Sequence, residues 1–129
     1  MEAGSPIRVA VDAMGGDHAP LEIVKGSILA LERAPGLSIL LVGDEARVNA
    51  ALEETDAPRE RIQVRHASEM IEMGESPVDA LRRKEDTSVK RCMEALRSEE
   101  VDAVISAGDT GGVVAAATLF ARRLKGVKR

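Results

Sequence analysis

Two short stretches hold the residues that could do chemistry in this chain. The first is Asp12-Ala13-Met14-Gly15-Gly16-Asp17-His18-Ala19-Pro20. Adjacent glycines permit positive φ and let a backbone approach a ligand closely. Asp12 and Asp17 set two carboxylates beside them, and His18 is one of only two histidines. The stretch reads as a substrate or anion site, or as a tight turn with Asp17 capping the next helix and Pro20 near its first turn. An Asp-x4-Asp-His cluster can also ligate a divalent cation. No third set of ligands accompanies it, so no metal is expected.

The second stretch is Ser106-Ala107-Gly108-Asp109-Thr110-Gly111-Gly112. Free N–H groups at a helix start favour an anion, and the Ser106 and Thr110 hydroxyls can add donors. The spacing is neither a Walker A loop nor the G-x-G-x-x-G dinucleotide fingerprint, and an ordinary capped turn would look the same. Asp109 opposes an anion, by ~4 kcal/mol at contact distance and an effective dielectric of 20. It is tolerable if it points away, caps the helix or shares a metal. Arg82-Arg83-Lys84 reads as a solvated face, or as a source of one cation for the anion site or an acidic partner protein. His66 reads as structural. Cys92 reads as a buried thiol in mid-helix, not a nucleophile.

The elements that must position these stretches follow from the apolar periodicity. Ile7–Val11, Ser38–Val42, Ile62–Ala67 and Val101–Ala107 read as strands. Leu21–Ala34, the segment after the capping residue Asp44, Pro77–Arg83, Ser88–Glu99 and Thr110–Leu124 read as helices. Alternating strands and helices predict an α/β fold with a mostly parallel sheet covered on both faces. Both chemical stretches then fall at strand-to-helix turns, where open parallel sheets bind ligands. Residues 70–88 are the least regular part. No repeat is present.

The chain has 129 residues, 44% hydrophobic and 31% charged, which predicts a folded globular chain and argues against disorder. It has one Phe and no Trp or Tyr, so no base-stacking surface can be built. Eighteen basic against 22 acidic residues give a net charge of -4, a poor balance for gripping a phosphate backbone. No nucleic-acid partner is expected. The single cysteine allows no internal disulfide, and neither a signal peptide nor a long apolar span is visible. A cytoplasmic location is expected.

The segment Val9 to Pro20 closely resembles the N-terminal signature of the phosphate acyltransferases of bacterial phospholipid synthesis (phosphate:acyl-carrier-protein acyltransferases). The similarity continues through Leu41-Val42-Gly43-Asp44, Pro77 to Lys84, Ser106-Ala107-Gly108-x-Thr110-Gly111 and Leu124-Lys125-Gly126-Val127. It implies a three-layer α/β/α fold like that of isocitrate and isopropylmalate dehydrogenases, incomplete here, with residues 1–129 forming the N-terminal part of a single acyltransferase domain. The reaction it implies moves a fatty acyl group from acyl-carrier-protein to inorganic phosphate, without a cofactor, giving acyl phosphate for phospholipid synthesis. It also implies a homodimer, soluble or loosely attached to the inner face of the cell membrane. The residues expected at the substrate and phosphate site are Asp12, Gly15, Gly16, Asp17, His18, Lys84, Ser106, Gly108, Asp109, Thr110 and Gly111, with the catalytic groups expected beyond residue 129. The family usually carries Asn where this chain has Asp109. Two other readings stay open: a nucleotide-binding, dehydrogenase-like domain, and a non-catalytic dimerising remnant.

Overall fold

The structure is a computed structural model describing residues 4–127. Lys128 and Arg129 of the basic tail lie outside the described residues. The strands are β1 (Ile7–Asp12), β2 (Leu37–Gly43), β3 (Ile62–His66) and β4 (Ala103–Ile105). The helices are α1 (Leu21–Arg33), α2 (Glu45–Glu53), α3 (Pro77–Arg83), α4 (Ser88–Arg97) and α5 (Thr110–Ala116). All strands are parallel, in the order β3-β2-β1-β4.

The runs Val9–Asp12 and Ile39–Val42 are buried throughout because both faces of the sheet are covered. Alternate residues go to opposite sides. Val9, Val11, Ile39 and Leu41 meet Val24, Ile28 and Leu31 of α1 and Val48 and Leu52 of α2. Ala10, Leu40 and Val42 meet Cys92 and Ala95 of α4, with Val101. On the outer side of α4, Val89 and Met93 pack with Leu81 of α3 and Ala116 of α5. Helices on both faces of a parallel sheet make the predicted α/β layering.

The strand order explains where the chemistry falls. From β1 the chain winds outward through α1 and α2 to β3. It then returns through α3 and α4 to the other side of β1. The winding therefore reverses between β1 and β4, and the turns leaving those two strands flank the resulting crevice.

Several boundaries differ from the periodicity. β4 has three residues rather than seven. The Asp102 carboxylate accepts from the Arg8 amide ahead of the ladder, and Ser106 turns inward to Asp12 beyond it. α4 stops at Arg97, and Glu99 has φ 62°. The last helix ends at Ala116 and runs into a π-turn over Ala117–Ala121, closed by the Arg122 amide donating to the Ala117 carbonyl. Within that turn the Thr118 hydroxyl donates to the Val114 carbonyl, competing with the backbone ladder. At α2 the Asp44 cap is present, its carboxylate accepting from the Arg47 amide at 3.1 Å. At α1 the expected Asp17 cap is absent: Pro20 occupies the cap position with no side-chain bond. Among the described residues no helix is long and apolar enough to cross a membrane.

Candidate functional site

The two chemical stretches touch. A Cβ at Gly15 would lie 2.8 Å from the Gly108 amide nitrogen, 2.9 Å from Ser106 Oγ and 3.0 Å from Asp12 Oδ2. Only a hydrogen fits there, so glycine is what lets the two turns meet. Gly16, with φ 119°, lies against Ala107. Asp12 is nearly fully buried. Its Oδ1 accepts from the Met14 amide at 3.1 Å, and its Oδ2 accepts from Ser106 Oγ at 2.9 Å. Ser106 Oγ in turn accepts from the Gly108 amide at 3.2 Å. This relay joins residues 94 positions apart in sequence. Asp109 caps α5, its Oδ2 accepting from the Gly112 amide at 2.9 Å. That is one of the ways its charge was expected to be tolerated. The amides of Gly16, Asp17, Thr110 and Gly111 donate to no group among the described residues, leaving them to solvent or a bound molecule.

The turns form the floor of a cavity of about 660 Å³, within the usual range for small-molecule sites. Seven of the residues expected at the site line it: Asp12, Gly15, Gly16, Asp17, Ser106, Gly108 and Asp109. His18, Thr110 and Gly111 lie outside its lining and are exposed. Lys84 also lies outside. Its ammonium donates to the Met70 carbonyl at 2.8 Å and to Glu75 at 2.9 Å, while Arg83 reaches the other Glu75 oxygen at 2.6 Å. The Lys84 ammonium, helped by the Glu72 amide and Arg83, holds the Glu75 carboxyl below its usual range. These cations secure the segment forming the cavity's far wall.

That wall was not foreseen. Met70, Ile71 and Met73 line it together with Val89 of α4 and Val113 of α5. The only signal in the sequence is Met70-Ile71-Glu72-Met73-Gly74, a cluster of apolar side chains inside a charged, irregular stretch. Asp86 fastens the start of this segment. It accepts from the Ser68 amide and hydroxyl at 2.8 and 2.7 Å and from Arg91 at 2.5 Å. The Ser68 donors, followed by Arg91, lower its carboxyl from 3.8 to about 2.

The cavity is lined by three carboxylates, from Asp12, Asp17 and Asp109, and by no lysine, arginine or histidine among the described residues. No group of three His, Cys, Asp or Glu side chains among the described residues is placed to hold a metal. Cys92 is fully buried, and burial, with the Asp12 charge adding to it, pushes its thiol far above the ordinary range. A protonated, enclosed thiol is no nucleophile. His66 is structural as expected: its Nδ1 accepts from the Glu45 amide at 3.1 Å, at the start of α2.

Residues 7–129 match the family described as "Fatty acid synthesis protein". The chain belongs to that family. Its curated relatives include proteins named phosphate acyltransferase. Over 123 residues it is 41% identical to that of Dictyoglomus turgidum, 46% to that of Thermoanaerobacter pseudethanolicus and 44% to that of Geotalea daltonii. Each alignment covers 95% of this chain but only 35–36% of the relative. The chain thus spans about a third of the length of these relatives. The aligned stretch includes both turns of the cavity floor.

Proposed function

We propose that the chain is the N-terminal part of a single-domain phosphate acyltransferase, with an architecture like that of isocitrate and isopropylmalate dehydrogenases. The domain transfers a fatty acyl group from acyl-carrier-protein to inorganic phosphate and supplies acyl phosphate to phospholipid synthesis. One observation carries this reading. In a chain 41–46% identical to proteins of that name, two glycine turns close on each other where the sheet's winding reverses. Phosphate sits at the unbonded amides of Gly16 and Asp17, facing the turn that holds Ser106 and Gly108. A phosphate oxygen attacks the thioester carbon, the carbon–sulfur bond breaks, and the thiolate leaves with a proton from phosphate. Alignment of the two reactants supplies much of the rate. Backbone donors steady the oxygen of the tetrahedral intermediate. No covalent enzyme intermediate is needed. The cationic and catalytic groups are supplied by the portion of the relatives that this chain does not span. The working form is a homodimer, in solution or loosely held at the inner face of the cell membrane.

Two measurements test this. Thermal melts of the 129-residue chain in rising phosphate, at constant ionic strength with chloride as control, should show stabilisation growing with phosphate. The gain is about 1.4 kcal/mol at ten times the Kd. A chain extended to family length should release carrier thiol from acyl-carrier-protein only when phosphate is present. A melt unchanged by phosphate, together with phosphate-independent thiol release, overturns the reading.

A further inference from the structure

The cavity has two unlike sides. Its floor is polar: two backbone turns, with Asp12 hydrogen-bonded to Ser106 and Asp109 to Gly112. Its far wall is mostly apolar, Met70, Ile71, Met73, Val89 and Val113, with Ser88 beside Val89. We propose that this wall is the seat of the acyl chain, holding an uncharged thioester with its carbonyl toward the Ser106 turn and its hydrocarbon against Met70, Ile71 and Met73. The proposal rests on the acyl-transfer reading of the same site.

Charge selects the occupant. Three carboxylates and no cation line the cavity among the described residues. The free amides of Gly16 and Asp17 on the floor can offset that charge for phosphate. The wall of Met70, Ile71 and Met73 offers no such donor, so a neutral ester-like group suits it better than a fatty carboxylate. Shape agrees. Gly112 has no side chain where Ile71 packs, since a Cβ there would come within 3.0 Å of Ile71 Cδ1. Gly74, at φ 81°, turns the segment at the rim. Beyond it Glu75 is clamped by Lys84 and Arg83. Glu75 is thus tied down from behind, while the thioethers of Met70 and Met73 are left over the cavity. Met73 lines the cavity and is 88% exposed, so its side chain is free to settle over a ligand. Thioether side chains adapt to flexible hydrocarbon.

The test titrates the 129-residue chain with neutral S-acyl pantetheines, from butyryl to octanoyl, and with octanoate. Binding is followed by amide chemical shifts. The butyryl and octanoyl probes differ by four methylenes. Each fully buried methylene strengthens binding up to about fourfold, so octanoyl should bind at least about tenfold more tightly than butyryl. Octanoate should bind more weakly than the octanoyl thioester. Met73→Glu, at an exposed position, and Ile71→Asn should each flatten the length series. A series already flat in the unaltered chain overturns the proposal, as does one that survives both substitutions. The phosphate melts separate the two ideas. Phosphate stabilisation with a flat acyl series sinks the acyl wall alone. A steep acyl series without phosphate stabilisation sinks the phosphate site and keeps the wall as a hydrocarbon site.

Discussion

Replacing Gly15 by alanine asks whether the two turns are joined as tightly as the geometry says. Gly15 has no positive φ, so its backbone suits alanine and only the methyl group is new. That methyl would sit 2.8 Å from the Gly108 nitrogen, 2.9 Å from Ser106 Oγ and 3.0 Å from Asp12 Oδ2. The first is backbone, and the other two are the partners of a hydrogen bond, so none can yield freely. Overpacking of this kind costs about 1–3 kcal/mol. If Ser106 swings away, the buried Asp12 oxygen loses its donor, at a further cost of about 1–3 kcal/mol. The expected total is about 2–6 kcal/mol, or roughly 10–20 °C in Tm for a chain of this size. Gly26→Ala is the matched control. Gly26 lies within α1 with nothing inside 4 Å of its would-be Cβ, so alanine should stabilise by roughly 0.5–1 kcal/mol. Urea unfolding followed by circular dichroism measures both. The opposite signs are the signature. If Gly15→Ala melts within about 0.5 kcal/mol of the parent and leaves the Ser106 and Gly108 amide shifts in place, the contact between the turns is not as described.

Other outcomes follow from single residues. Asp109→Asn should keep the α5 cap, since Asn caps as well as Asp, and hold stability within about 0.5 kcal/mol in the same urea assay. With one carboxylate fewer in the cavity, phosphate should bind about tenfold more tightly by melting titration; unchanged or weaker phosphate binding would count against an anion site beside this residue. Asp86 has its carboxyl lowered to about 2 from 3.8. The stability it lends is therefore present above about pH 4 and is lost as pH falls toward 2. Asp86→Asn should flatten that acid limb relative to the parent, and parallel pH–stability curves would refute the assignment. Arg61→Ala should lower stability by about 2 kcal/mol. Its guanidinium donates to the carbonyls of Leu31, Ala34 and Leu37, closing the C-terminal end of α1 onto β2. Lysine cannot make that fork, so Arg61→Lys should recover less than half of the loss.

Much of the scaffold was legible because the apolar runs obey simple periods. Val9–Asp12 and Ile39–Val42 are uniformly buried, as a doubly covered parallel strand requires. Asp44 caps α2, and Pro35-Gly36 follow directly on the C-cap of α1, so these boundaries are set by adjacent residues. What depended on distant partners was not legible. β4 is cut short because Ser106 bonds across the sheet to a carboxylate 94 positions earlier. The end of α5 was overrun because alanines and valines permit a helix without saying where it stops. Lys84 was expected among the site's cations because its type suits a phosphate. In the fold it meets Glu75 first, and no spacing rule reveals that pairing. The apolar wall escaped notice because Met70 to Gly74 has no period to detect. Of the candidate site, the glycines and Asp12 could be read from residue type, whereas the relay through Ser106 appears only once β1 and β4 lie side by side.

The segment from Ser68 to Glu75 belongs to neither the sheet nor any helix, and ionic or hydrogen-bonded ties hold it at either end, at Asp86 and at Lys84. Such a strap can be re-lettered or lengthened between its fastenings without unpicking a strand. The floor enjoys no such liberty, because Gly15 and Gly108 are locked face to face. Selection, or an engineer, can therefore retune what the cavity admits by editing a handful of residues while the machinery beneath stays untouched.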